Sequence, residues 1–184
     1  MKYYFSLKVP VKNFLKKYIY YQYRGYTRLV ITKDNIIGRK LFDLLSNAKN
    51  TRYGNQDRKD KFLSFTVLTD ALTYRLTRNN NFGRGAPKIE EITFNLTANY
   101  MLKECGIWLT ETAVIDFNQY VDIMFRKDFR DYVDERGPTQ EISERIYDFM
   151  EKYKMTDEDL TFEMLQKDYQ RYRKALQTPV RRAS

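Results

Sequence analysis

Residues 3–19, YYFSLKVPVKNFLKKYI, change their apolar period halfway along. Over 3–9 the aromatic and branched residues are those of a strand. Further on, Val11, Phe14, Leu15, Tyr18 and Ile19 fall at i, i+3, i+4, i+7 and i+8, the repeat of an amphipathic helix. Pro10 stands at the change, where it ends the strand and suits the first turn of a helix. Lys12, Lys16 and Lys17 fall on the outer face, and Gly25 ends the helix. A strand that passes directly into a helix points to an α+β fold.

The same layout recurs twice. YFSLKVPVKNFL at 4–15, LSFTVLTDALTY at 63–74 and ITFNLTANYML at 92–102 each place alternating apolar residues before a turn or cap, then a helix. An internal duplication would produce this, and so would ordinary α+β grammar, which is the simpler reading. Further strands are expected at 27–32, 62–68 and 89–97. A helix is expected over 35–46, with Ile37, Leu41, Leu44 and Leu45 on one face. Another starts at Thr69 or Asp70 and runs to about residue 78, and a short helical stretch lies near 98–104. Residues 47–61 and 79–88 lack apolar periodicity and read as exposed loops.

Beyond residue 108 the pattern is helical. Thr110 is a candidate N-cap, followed by the stripe Val114, Phe117, Val121, Met124, Phe125, Phe129 and Tyr132. Gly137-Pro138 breaks it. Ile142, Ile146, Phe149, Met150 and Tyr153 form the next helix. Thr156 to Asp159 cap a last helix over 157–176, with the stripe Leu165, Tyr169, Tyr172 and Leu176. The expected architecture is a small mixed or antiparallel sheet with packing helices over 1–108, three helices over 109–177 and a basic flexible tail over 178–184.

The 184 residues suffice for a core without staples or metals. The single cysteine, Cys105, allows neither an internal disulfide nor a cysteine-based zinc site. No histidine is present, which removes Ser-His-Asp and Cys-His nucleophiles, histidine metal ligands and histidine general bases. There is no GxxxxGKS phosphate loop and no GxGxxG fingerprint. No apolar run approaches membrane-spanning length, and the opening MKYYFSL breaks at Lys8 and Pro10, unlike a signal peptide. A cytoplasmic protein is expected.

Charge is unevenly spread. Residues 1–100 carry 19 Lys+Arg against 7 Asp+Glu, residues 101–165 carry 8 against 16, and residues 166–184 carry 6 against 1. A basic half of this size attracts polyanions, because each neutralised phosphate releases condensed counterions. Two groups interleave cations with an aromatic residue: Lys49, Arg52, Tyr53, Arg58, Lys59 and Lys61; then Arg75, Arg78, Phe82, Arg84 and Lys88, with Asn79, Asn80 and Asn81 between them. Arg and Lys bind phosphate, amides reach base edges, and Tyr53 or Phe82 can stack on or wedge between bases.

The last two helices have helix-turn-helix proportions around Lys154-Met155-Thr156. The second offers Gln166, Lys167, Gln170, Arg171, Arg173 and Lys174. A recognition helix meets DNA with its N-terminal end, which here carries Asp157, Glu158, Asp159 and Glu163. An ordinary helical hairpin is therefore the favoured reading, and any contact falls to Lys167, Arg171 and Lys174.

The Tyr/Lys/Asn-rich composition, the opening MKYYFSLKVP and the closing LQKDYQRYRK make the chain similar to small basic DNA-associated proteins of bacterial phages and mobile elements. This likeness is one of composition and carries no functional residues over. The leading expectation is a non-enzymatic nucleic-acid binder, DNA in preference to RNA, that uses the two basic loops of its N-terminal half as better candidates than the last helix, without cofactor, metal or membrane partner, and with a helical region for self-association or for holding a partner. The alternative is a structural or protein–protein interaction component. A nuclease holding magnesium on the acidic cluster Asp157, Glu158 and Asp159 is a third class.

Overall fold

The computed structural model describes residues 4–24, 29–32, 34–52, 69, 72–73, 88–97, 109–135 and 141–177, with the side chains of 4–5, 46–52 and 96–97 outside the description. The element order is β1 (Tyr4–Lys12), α1 (Asn13–Gln22), β2 (Leu29–Val30), α2 (Ile36–Arg52), β3 (Ile89–Thr97), α3 (Glu111–Glu135), α4 (Ile142–Lys152) and α5 (Phe162–Gln177). The fold is α+β. The expected strand at 62–68 and the short helix near 98–104 lie outside the described residues, while Thr69, Leu72 and Thr73 are helical. The chain divides into two compact units, Met1–Ile123 and Met124–Ser184.

The first unit is built on a three-stranded sheet of order β1-β3-β2. β1 pairs antiparallel with β3, setting Leu7 opposite Phe94 and Val9 opposite Ile92. β2 pairs parallel with β3. Because side chains alternate along a strand, Leu7, Val9, Ile92 and Phe94 share one face, and all four are buried. Phe94 meets Tyr23 edge-on at 6.1 Å and Phe117 at 5.9 Å. Such edge-to-face pairs add about 0.5–1.5 kcal/mol to the burial itself.

Pro10 does not end the strand. β1 continues through it to Lys12, with Pro10 opposite Glu91, and α1 starts at Asn13. The reason is strand order. β1 is a sheet edge, and Asn13 N donates to Lys88 O (3.0 Å), so the residues one step out of phase turn their backbone groups away from β3. Pro10 is one of these, and its missing N–H removes no ladder bond. The buried Asn118 of α3 covers this edge. Its amide nitrogen donates to Pro10 O (2.9 Å) and Val114 O (3.0 Å), and its oxygen accepts from Lys12 N (3.1 Å). Asn118 therefore stands in for a neighbouring strand.

The apolar face of α1 matches expectation: Phe14, Leu15, Tyr18 and Ile19 are buried. The helix ends at Gln22, before Gly25, and the following turn includes Arg24 at φ 55. α2 buries Ile37, Leu41, Leu44 and Leu45 as expected, and Asn35 caps it by accepting from Ile37 N and Gly38 N. It then runs on to Arg52, so residues 47–52 are helix and not loop. A polar helix end has no apolar period to announce it. A side chain at Gly38 would meet Thr32 O at 2.7 Å, so glycine permits the close approach of α2 to the end of β2.

The second unit contains the last part of α3 with α4 and α5. Phe149 is its hub, with ring centres of Phe129 at 5.1 Å, Phe125 at 5.6 Å, Tyr132 at 5.5 Å and Tyr153 at 4.7 Å. Asp168 of α5 accepts from Arg126 and, through two nitrogens, from Arg130 (3.0 and 3.1 Å), tying α5 to α3. The Arg130 guanidinium also lies over the Tyr172 ring at 5.0 Å. Thr110 caps α3 as expected, with its hydroxyl accepting from Ala113 N. Among the described residues no helix is long and apolar enough to cross a membrane.

Candidate nucleic-acid interface

α5 presents the described part of the candidate site. Its core row is Leu165 and Tyr169, both buried. With 3.6 residues per turn, Lys167, Arg171 and Lys174 at i, i+4 and i+7 fall on the opposite side. All three are exposed, and Gln170 beside them is exposed too.

The helix starts later than expected, at Phe162 and not at residue 157. Thr156–Asp159 form their own turn. Asp159 accepts from Thr156 N and from its hydroxyl, both at 2.9 Å, and Leu160 N donates to Thr156 O (3.1 Å). Asp159 is thus engaged ahead of the helix, and Glu163 is the acidic residue of the first helical turn. The sequence signal was an acidic cap; the chain uses those residues one turn earlier.

The connection from α4 to α5, residues 153–161, is longer than the three- to four-residue turn of a helix-turn-helix. α4 closes with Met155 N donating to Met150 O and Lys154 N donating to Glu151 O, around a left-handed Lys154 (φ 53). This is the Schellman closure, with lysine where glycine is usual. The pair is a helical hairpin.

A cleft of about 580 Å³ runs beside the cationic row, lined by Ile142, Gln166, Tyr169, Gln170, Arg173, Lys174 and Gln177. Ile142, one of the apolar residues that mark α4, is 46% exposed and lines this cleft. Tyr169 donates to Asp134 (2.6 Å), and Arg173 stands 3.6 Å from the same carboxylate. Burial, and then that hydrogen bond, push the Tyr169 phenol above its usual range. Of the amides lining this cleft, Gln166 and Gln170 are among those the last helix was expected to offer, and Gln177 is not.

The other candidates divide. Lys49 and Arg52 stand in α2. Lys88 is exposed and pairs with Glu90 at 3.5 Å. Tyr53, Arg58, Lys59, Lys61, Arg75, Arg78, Phe82 and Arg84 lie outside the described residues. The α1 lysines expected on a solvated face are engaged. Lys12 meets Asp122 (2.8 Å) and Lys16 meets Glu90 (2.7 Å). The Lys16 hydrogen bond outweighs burial and holds the Glu90 carboxyl below the usual carboxylate range.

Among the described residues, no three or more of His, Cys, Asp and Glu converge to hold a metal. No protein family, curated protein or solved structure matches the chain.

Proposed function

We propose that the chain is a non-enzymatic, cytoplasmic nucleic-acid-binding protein that takes DNA in preference to RNA. The observation that carries this reading is the exposed row Lys167, Arg171 and Lys174, with Gln170 alongside. Three cations on one helix face follow a phosphate backbone, and flanking amides can reach base edges. The cationic segments around Arg52–Lys61 and Arg75–Lys88 would widen the contact.

Duplex binding titrated against salt tests this. Replacing Lys167, Arg171 and Lys174 together by alanine should weaken binding to all sequences and flatten the slope of log K against log salt by roughly 2–3. The Arg52→Ala/Arg58→Ala and Arg78→Ala/Arg84→Ala pairs should each flatten it by about 1–2. No binding by the wild-type chain at low salt would end the reading, and an unchanged slope in the triple variant would remove α5 from it.

A further inference from the structure

Within the helical unit, one helix already takes an arginine from another. Asp168 and Tyr172 stand one turn apart on α5. Arg130 of α3 donates to the Asp168 carboxylate from Nε (3.1 Å) and from a terminal nitrogen (3.0 Å), and its guanidinium lies over the Tyr172 ring at 5.0 Å. The carboxylate accepts the N–H bonds and the ring covers the flat face of the cation.

The outer face of α4 repeats these parts without an arginine. Glu144, Tyr147 and Glu151 fall at i, i+3 and i+7, opposite the buried Ile146, Phe149 and Met150. All three are exposed. Among the described residues, neither the Glu144 nor the Glu151 side chain has a hydrogen bond or ion pair. The cations of α4 are used elsewhere: Arg145 is buried and donates to Val133 O, and Lys152 lies over the Tyr132 and Tyr153 rings. Phe162, at the start of α5, stacks on the Tyr147 ring at 4.5 Å and 14°, and Tyr147 is still 58% exposed. A ring fixed in this way loses little freedom when a ligand settles on it.

The neighbours of the ring select the ligand. A nucleobase brings phosphate with it, and the carboxylates one turn to either side of Tyr147 repel phosphate. An apolar segment would cover those carboxylates without pairing them, which is costly. A guanidinium suits both parts, with its plane on the ring and its N–H groups on a carboxylate, as Arg130 does on α5. Glu144 and Glu151 stand about 10 Å apart along α4 with the ring between them, so a second basic side chain of the same segment meets the other carboxylate.

We infer that the Glu144, Tyr147 and Glu151 face of α4 docks an arginine-rich segment of a partner protein. Exposed carboxylates are screened by salt, so this docking weakens as salt rises. It uses a different helix from the cations proposed for nucleic acid and does not rest on that reading.

Fluorescence anisotropy of the full chain tests the inference. The probes are a labelled alanine-based peptide with arginine at about every fourth position and its lysine counterpart, at about 0.05 M salt. The arginine peptide should bind about threefold more tightly or better, because lysine offers no plane to the ring. Tyr147→Ala and Glu144→Gln/Glu151→Gln should each weaken it about fivefold or more, while Tyr147→Phe, which keeps the ring, should bind as wild type does. Asp43→Asn/Asp116→Asn removes the same charge from exposed residues of the sheet unit and should leave binding within about twofold. Circular dichroism confirms that each variant folds. Equal losses in the two double variants would reduce the effect to general attraction by charge and overturn the inference. So would equal affinity for both peptides, or a Tyr147→Ala chain that binds like wild type. Binding that falls away as the chain is concentrated would give the surface to a second copy and overturn it as well.

Discussion

In the sheet unit, Lys8, Lys12, Lys16 and Lys88 each stand against a carboxylate, Glu91, Asp122 or Glu90. In the helical unit, Lys167 and Arg171 are exposed along a helix with two carboxylates, exposed Glu163 and Asp168, the latter turned toward two arginines. Segment totals read from the sequence assign cationic surface to the first 100 residues and to residues 166–184, with an acidic stretch between them. Among the described residues the two basic segments differ in local arrangement. The four lysines named in the sheet unit stand against acids, while α5 exposes Lys167 and Arg171 with Glu163 one turn before Lys167. What a polyanion meets is the surface around a helix face, within a Debye length, and not a sum along the chain.

The units also differ in how each is fastened. α3 contributes to both, with a neutral amide in one and two guanidinium groups in the other. Asn118→Leu keeps volume and removes the bonds to Pro10 O and Lys12 N, leaving both edge groups without that partner. A loss of about 2–4 kcal/mol in urea unfolding is expected, equal at low and high salt because no charge is involved. Asp168→Asn keeps the shape and removes the charge facing Arg126 and Arg130, which are about a third exposed. Its expected cost is smaller, about 1–3 kcal/mol, and should shrink as salt rises. If the Asn118 loss also shrinks with salt, or the Asp168 loss does not, the contrast between neutral and ionic fastening fails.

Periodicity made the alternating strand 89–97 and the apolar rows of α1, α2 and α3 legible, since burial of one face imposes a repeat on the sequence itself; in α5 it held for Leu165 and Tyr169, while Leu176 is 64% exposed. What escaped depends on distant residues. Pro10 reads as a strand stop until β1 is known to be an edge. Asn118 reads as a solvent-facing polar residue until the strand it covers is in place. Thr156 to Asp159 satisfy the pattern of a cap, yet their hydrogen bonds close a turn ahead of the helix. Ile142 fits the stripe of α4, but the end of that helix stands at the cleft.

One substitution made in both units gives the finest comparison. Tyr169 in the helical unit donates to Asp134, so Tyr169→Phe should cost about 1–2 kcal/mol. Tyr23 in the sheet unit is buried against Phe94, and its hydroxyl has no hydrogen-bond partner among the described residues. Removing that hydroxyl relieves a desolvated polar group, so Tyr23→Phe should be neutral or stabilising by up to about 1 kcal/mol at neutral pH. Alkaline titration adds a second readout. Burial pushes the Tyr23 phenol up to about 12, above its ordinary 10. The folded chain therefore keeps that proton while the unfolded chain loses it. The associated stability is complete below pH 10 and is lost as pH rises from 10 through 12, on the order of 2–3 kcal/mol in all. Phenylalanine has no proton to lose, so the advantage of Tyr23→Phe over wild type should widen across that window. Unfolding midpoints of the two chains that run parallel from pH 9 to 12 would show instead that the Tyr23 hydroxyl is solvated in the folded protein.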